Sequence, residues 1–337
     1  MNEDARTEAG APAPAGPLRI GTRKSQMALR QAEAVAGAAS RAAPALQTRI
    51  VARQAQADKD LKSRLSALGG KGGAFITAMR EMMCRQEVDV AMHSLKDMPG
   101  NAEYYVDDRF VLGAFLPRDD PRDVLVLRKG LERLPAGAVI GTASVRRAAF
   151  ARRLYPDATV VPFRGAADKR IERMDQGIPM QFNYGGQTPC VDALILAKSG
   201  LERLSLQHRI SRVFSVGEMC PAAGQGIVVV EALRARADLA GLLAAISDRQ
   251  AAYCAQAERA VLKALNGHCD SPIGCHAWIA DGMLRIEAVV IAGDGKASIH
   301  VSDGSGFTDP HSLGARVGRR LNQLGAQQLL QEQRAQD

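Results

Sequence analysis

Aromatic residues make up only 4% of the 337 residues, too few to build the stacking surface on which a single-stranded nucleic acid lies. There is no dense Lys/Arg tract either, so nucleic acid is not an expected partner despite 44 Lys+Arg against 36 Asp+Glu. No run of 18 or more apolar residues occurs, and no transmembrane helix or membrane partner is expected. The first residues, MNEDARTEAGAPAPAGP, lack the apolar stretch of a secretory signal, and their composition predicts a disordered tail over 1–16. Cysteines at positions 84, 190, 220, 254, 269 and 275 are too scattered for a disulfide framework, which fits a reducing cytoplasm. Lysine is scarce, 10 residues against 34 arginines. Arginine's planar fork grips carboxylates and phosphates with two prongs, so a pocket for a small acidic ligand is expected.

What is present is ordinary in bulk, 46% hydrophobic and 24% charged, and long enough for two or three domains. Its most informative pattern is a weak internal duplication. Leu18-Arg-Ile-Gly-Thr-Arg-Lys-Ser25 reads as a strand, a glycine turn and a serine N-cap, followed by a helix through Met27, Leu29, Ala32 and Val35. The same grammar returns at Ala138-Val-Ile-Gly-Thr-Ala-Ser144, with a helix through Val145, Ala148, Phe150 and Leu154. Each unit then has a later helix (73–86 and 169–176) leading to a strand that begins Val-Asp, at Val88 and at Val191. Alternating strands and helices imply parallel α/β layers, and two such units side by side imply a cleft. A third segment after Asp248 reads as a small α+β domain. It has a helix through Leu265, a loop over 268–274, strands over 277–280, 283–292 and 297–301, and one terminal helix over 312–331. Gly293-Asp-Gly295 is its hairpin signal.

Helix N-termini present free N–H groups and a positive dipole end, so both strand-to-helix turns are candidate anion sites. Arg23 sits in one turn and Arg146-Arg147 in the other, while Arg164 and Arg170 flank Gly165 at the start of a further helix. Singly, each is a surface arginine; jointly, they favour carboxylate binding. His93-Ser-Leu-Lys-Asp-Met-Pro99 ends an apolar strand where open α/β sheets place ligands, and it packs Ser94, Lys96 and Asp97 into one turn. An ionised Asp97 can stabilise a developing cation or shuttle a proton. Gly69-Gly-Lys-Gly-Gly73 lacks the spacing of a nucleotide-binding loop and reads as a flexible lid carrying Lys71. In His268-Cys-Asp-Ser-Pro-Ile-Gly-Cys-His276 five residues separate the cysteines, more than in structural zinc loops, so no metal is expected and a loop cysteine is a candidate nucleophile.

The blocks IGTRKSQMALRQ, VDVAMHSLKDMP, RDDPRD, IGTASVRR, DALILAKSGLERL, PAAGQG, AERAVL and GHCDSPIG follow one another between Leu18 and Gly274. In content and order the chain closely resembles the porphobilinogen deaminase (hydroxymethylbilane synthase) family. The resemblance implies an enzyme of tetrapyrrole (haem) biosynthesis. Such an enzyme joins four porphobilinogens head to tail, releases ammonia at each addition, and uses a dipyrromethane cofactor bound by thioether to a cysteine. That cysteine matches Cys269, and the catalytic aspartate matches Asp97. Cofactor contacts match Ser94, Lys96, Thr142, Ser144, Arg146, Arg147 and Arg170; substrate contacts match Arg23, Ser25, Arg164 and Arg203. The implied architecture is two periplasmic-binding-protein-like α/β domains (17–116 with 222–246, and 117–221) and a third, 247–337, bearing the cysteine. A monomer is expected.

The chain departs from the family pattern in four places. An extra glycine follows Lys71, and Arg164-Gly-Ala-Ala-Asp-Lys-Arg170 lacks an Asn and a Thr. His268 replaces a glycine, and 178–190 is an insertion. A diverged paralogue that only binds acidic tetrapyrrole precursors is the alternative; retention of both Asp97 and Cys269 favours the enzyme.

Overall fold

The computed structural model describes residues 16–54, 73–100, 107–182, 186–268 and 270–336. The expected tail through residue 15, the lid with Lys71 and the attachment cysteine Cys269 lie outside the described residues. The chain begins β1 (Leu18–Arg23), α1 (Gln26–Ala42), β2 (Thr48–Arg53), α2 (Gly73–Cys84), β3 (Val90–Ser94) and β4 (Phe110–Phe115). It continues through β5 (Asp123–Leu127), β6 (Val139–Thr142), α3 (Val145–Leu154), β7 (Thr159–Pro162) and α4 (Ala167–Asp175). A short hairpin, β8 (Gln181–Phe182) and β9 (Gly186–Gln187), occupies the insertion and precedes β10 (Ala193–Ala197), α5 (Lys198–Arg203) and β11 (Arg212–Val213). Then come β12 (Val228–Leu233), α6 (Ala240–Ile246), α7 (Arg249–Ala264), β13 (Ile273–Ala280), β14 (Met283–Ile291), β15 (Ser298–Ser305), α8 (Pro310–Gln323) and α9 (Ala326–Gln336). No helix among the described residues is long and apolar enough to cross a membrane.

The duplication holds strand for strand. One sheet runs β2-β1-β3-β12-β4 and the other β7-β6-β10-β5-β11, when the second is read from its opposite edge. The Val-Asp signal has the same job in both. Asp89 accepts the backbone N–H of Arg19 in β1 at 2.8 Å, and Asp192 accepts that of Val139 in β6 at 3.0 Å. Each carboxylate thus closes the ladder beside the first strand of its unit and fixes where that strand starts.

The sheets are mixed, however, where alternation alone predicts parallel layers. In each sheet the first three strands are parallel, but β12 runs antiparallel to β3 and β4, and β5 antiparallel to β10 and β11. The reason lies in delivery. β5 and β12 each enter after the chain has crossed from the other unit, so no helical crossover dictates a parallel return. The two crossing segments lie against each other: Leu116 N–H donates to Val228 O at 2.9 Å and Asp119 N–H to Gly226 O at 3.2 Å. Gly226 has φ +90°, and a side chain there would drive a carbon to 2.4 Å from the Asp119 carbonyl, so only glycine permits this approach.

Alternation along the strands decides what each face buries. Leu18 and Ile20 of β1 and Val90 and Met92 of β3 pack on Ala32, Val35 and Ala39 of α1. In the second sheet, Val124 and Leu194 face Ile171 and Met174 of α4, and Leu125 and Ile195 face Ala149 and Phe150 of α3. Both sheets are therefore covered on both sides by apolar surface, and this burial supplies the main drive to fold.

The third unit is the antiparallel sheet β13-β14-β15 packed on α7 and α8. Two sequence expectations fail in it. β13 starts at Ile273, not at 277, because Ile273, Gly274 and Cys275 pair with Val290, Val289 and Ala288 of β14. The Pro and Gly that signal a loop occupy the strand's entry and a close contact with Cys220 instead. The terminal helix is two helices, because Gly325 takes φ +94° after α8 and ends it as a left-handed cap.

A buried ion pair joins all three units. Glu258 of α7, 0% exposed, accepts from Arg118 of one crossing segment at 2.6 Å. It also accepts the backbone N–H groups of Gly224 in the other segment at 2.5 Å and of Ala277 in β13 at 2.6 Å.

Candidate functional site

The two α/β sheets face each other across a cleft of about 760 Å³, roofed by the ends of β1, β3, β6 and β10 and by the helix N-termini that follow them. Ser25 caps α1 by accepting the Ala28 N–H, and Ser144 caps α3 by accepting the Arg147 N–H, both at 3.4 Å. Thr142, buried, accepts the Ser144 N–H at 3.3 Å. Ser25 and Ser144 line the cleft, whereas Thr142 shapes the turn beneath it. α4 has no side-chain cap: its N-cap position is Ala166, so the N–H groups behind Gly165 and Ala166 open on the cleft without a serine to occupy them.

Arg23, Arg147, Arg164, Arg170 and Arg203 line this cleft. They are not equivalent. Arg203 is engaged by Asp119 at 2.6 Å and by the Gly226 carbonyl at 3.0 Å. Arg23 lies over the Phe75 ring, 5.8 Å from its centre, a cation–π contact. Arg164 is 6% exposed. Arg146 and Arg147 are both buried, and both converge on one carboxylate, Asp123, at 2.6 and 2.8 Å. Burial alone would push the Asp123 carboxyl up, but the two guanidiniums hold it below the usual range. Two cations against one anion leave a surplus positive charge in the cleft wall. Arg170 has no ion pair with any described residue and its buried Nε has no hydrogen-bond partner. Burial first and the neighbouring Arg147 second push its pKa down to about 10.

That depression has a sign. A cation whose pKa is lowered on folding costs stability in full at every pH below about 10, and the cost fades as pH rises from there toward the ordinary arginine value. An anion bound beside it removes the same cost. Arg170→Leu is therefore expected to stabilise the cofactor-free Cys269→Ser protein, by on the order of 2 kcal/mol. It should also weaken binding of a polycarboxylate probe. Denaturant titration and a binding isotherm on the same preparation check both signs.

Asp97 closes the short turn after β3. Leu95, 1% exposed, anchors that turn by donating its N–H to the Ile227 carbonyl at 3.0 Å, and Met98 N–H returns to the Leu95 carbonyl at 3.0 Å. The carboxylate of Asp97 makes no hydrogen bond or ion pair with any described residue. It faces both the cleft and a smaller recess of about 80 Å³. Ser144, Arg146 and Arg147 line that recess, and so do His268 and Ser271, the residues on either side of Cys269-Asp270. His268 and Ser271 hold each other by two bonds, His268 N–H to Ser271 Oγ at 3.1 Å and Ser271 N–H to the His268 carbonyl at 3.0 Å. Cys275 is elsewhere: 0% exposed within the core of the third unit, where burial pushes its thiol pKa well up.

Three residues of the site carry no role in the sequence reading. Asp123 stands in the RDDPRD block and Gln225 in PAAGQG, yet nothing local marks either as the partner of an arginine pair. Gln225, 0% exposed, accepts from Lys96 Nζ at 3.3 Å and Arg147 at 3.2 Å, and donates to Asp123 at 2.8 Å and the Pro121 carbonyl at 2.6 Å. Gln31 of α1 donates to Ser94 Oγ at 2.7 Å and fixes that hydroxyl at the cleft edge. A polar residue on the buried face of α1 was the available signal for Gln31.

This is an arginine-lined cleft between two duplicated α/β units, and Asp97, which pairs with no described residue, shares a recess in it with His268 and Ser271. Two family profiles cover it: "Porphobilinogen deaminase, dipyromethane cofactor binding domain" over residues 18–240, and "Porphobilinogen deaminase, C-terminal domain" over 252–323. The porphobilinogen deaminase of Xanthomonas euvesicatoria pv. vesicatoria is 39% identical over 318 residues, 94% of this chain and 99% of that one. That of Alkaliphilus metalliredigens is 35% identical over 316 residues, 93% and 95% of the two chains. The chain belongs to the porphobilinogen deaminase family. Among solved structures, a nutrient binding protein from Burkholderia cenocepacia bound to methionine overlaps 69% of this chain and 93% of its own, at 11% identity and a TM-score of 0.42.

Proposed function

We propose that the chain is a transferase that condenses four porphobilinogen units head to tail into hydroxymethylbilane, releasing ammonia, from a dipyrromethane held on Cys269. The observation that carries this reading is the recess itself. There an unpaired Asp97, two arginines and the residues flanking Cys269 share one wall. The donor set fits the cofactor: Nε of Arg146 and Nε of Arg170 are buried without partners, and the acetate and propionate groups of pyrroles are the anions such nitrogens lack. When bound, the dipyrromethane supplies the pyrrole carbon at which the chain grows.

The protein's own groups do the rest. Arg147 and Arg170, with Ser144 and Lys96, hold cofactor carboxylates; Arg23, Arg164, Arg203 and Ser25 meet the incoming substrate. Arg146 keeps to Asp123 and the Cys220 carbonyl, with its Nε buried and without a hydrogen-bond partner, and Thr142 supports the turn. As ammonia leaves porphobilinogen, positive charge develops on its aminomethyl carbon. Asp97 sets a fixed negative charge against it, in a cleft where water screens poorly, and can carry protons between the departing amine and the pyrrole carbon. Domain boundaries at 117 and 221 are supported by where the crossing segments run, and 247 by the start of α7. A cytoplasmic location accords with the free, scattered cysteines.

The test is the intact mass of the purified chain. Each porphobilinogen adds with loss of one ammonia, so a primed enzyme is heavier than the polypeptide by two pyrrole units, and the increment survives reductant and chelator. An unmodified mass after purification from cells that make porphobilinogen would overturn the reading.

A further inference from the structure

α4 has two faces. Ala167, Ile171 and Met174 are buried against the second sheet. Lys169, Glu172, Arg173 and Gln176, at the i, i+3, i+4, i+7 spacing of a single helix stripe, line the cleft. The stripe continues past the helix into the insertion, where Ile178 also lines the cleft and is 44% exposed. We propose that Ile178, with Lys169 and Arg173, forms a subsite for the later pyrrole rings of the growing chain. The isoleucine lies against a ring face, and the two cations meet the acetates and propionates at the ring edge. This rests on the function proposed above.

The helix end fixes where Ile178 stands. Gly177 takes φ +65°, its N–H donates to the Met174 carbonyl at 3.0 Å, and Ile178 N–H returns to the Arg173 carbonyl at 2.9 Å. In helices closed this way, the residue past the glycine commonly packs on an apolar one in the last turn. Here that last-turn residue is Arg173, and Ile178 remains at the cleft surface. The rest of the insertion is an anchor. Met180 and Phe182 are buried in the core of the second sheet, and Thr188 holds Met180 by two bonds of 2.8 and 2.9 Å. Arg173 donates to the Pro179 carbonyl at 3.0 Å, a neutral oxygen that leaves its charge uncancelled. Lys169 pairs with Glu172 at 2.7 Å, but both side chains are largely exposed, and such a pair exchanges readily for another carboxylate. One apolar side chain among cations suits a flat ring with a carboxylate-bearing rim. The reaction supplies that occupant: each addition lengthens a polycarboxylate whose reacting end must return to Asp97, so rings already joined need wall elsewhere. The Asp97 recess is bounded by the turn after β3, α3, the second crossing segment and the third unit, whereas α4 lines the main cleft. Across its nine residues α4 gives that wall a length of about 12 Å.

The test reads how far the chain grows. Primed full-length enzyme is mixed with limiting porphobilinogen and quenched, and its intact mass is taken, each added unit being one pyrrole step above the primed mass. Ile178→Asp sets a carboxylate where a ring and its own carboxylates would lie; Ile178→Ser serves if that variant does not fold. Either is expected to keep the primed mass and a near-normal first addition, but to stall with two or three added units. In the steady state kcat should fall about 5-fold, with KM for porphobilinogen changed less than about twofold, because the first encounter is untouched. Ile178→Leu, which keeps the apolar surface, should grow the chain as wild type does, and Lys169→Gln should stall at the same late steps. Binding gives a readout without turnover: in the unprimed Cys269→Ser protein, Ile178→Asp should weaken a linear tetrapyrrole octacarboxylate about 5-fold and porphobilinogen less than about twofold. A wild-type ladder of masses in Ile178→Asp, or a loss already present at priming or at the first addition, would overturn the subsite. An unmodified wild-type mass would instead overturn the function on which it rests, so the two failures read differently.

Discussion

Asp97→Asn is expected to fold as the parent does and to turn over at least about 100-fold more slowly, the usual loss when a preorganised charge is removed from a reacting centre. Folding should be spared because the carboxylate holds nothing together: no described group bonds to it, and the turn is fixed by Leu95 and by backbone bonds. The amide is the same size and loses only the charge. Steady-state consumption of porphobilinogen, with a matched circular-dichroism melt, checks both halves. Near-normal turnover by a folded variant would remove Asp97 from the chemistry. The cofactor should still be retained in small amount if its carboxylates are held by Arg147 and Arg170, so mass and rate are measured on one preparation.

The second large effect is all-or-none. Cys269→Ser is expected to abolish the covalent adduct, while Cys275→Ala keeps it. The thiolate is the nucleophile, and burial in an apolar core suppresses it at Cys275, whose thiol pKa lies well above the ordinary value. Cys275 also sits inside β13, paired with Ala288, with no route for its sulfur to a cleft. The neighbours of Cys269, by contrast, line the recess that Asp97 shares. Peptide mapping that finds the adduct on Cys275 would reverse the assignment. The Ala variant should also lose some stability, about 1 kcal/mol, from the cavity left in a packed core.

Local rules carried the sequence reading a long way, and the places where they stopped are physically similar. Caps, strand starts and the duplication are local: Ser25, Ser144, Asp89 and Asp192 act within a turn or on an adjacent strand. Strand direction is not, because whether β5 and β12 run with or against their neighbours depends on a crossing many residues away. The same holds for the site. The sequence points to the arginines and to Asp97 by residue type and by position at strand ends, but it has no means of saying that Asp123 takes two arginines at once. Nor does it reveal that Gln225, far along the chain, accepts from both Lys96 and Arg147 while donating to Asp123. The early start of β13 is a milder case: proline and glycine weigh toward a loop until the pairing partner on β14 is known.

The Glu258 joint has a consequence for how such a protein can breathe. Its hydrogen-bond partners, Arg118, Gly224 and Ala277, lie on the two crossing segments and on β13, not in the body of either α/β sheet. If the two sheets swing like jaws, the crossing segments are the axle, and the third unit is bolted to the axle. A jaw moves farthest at its tip and least at its pivot. The third unit therefore stays with the pivot while the walls on either side travel, and a lengthening chain can be paid out past Asp97 as they part.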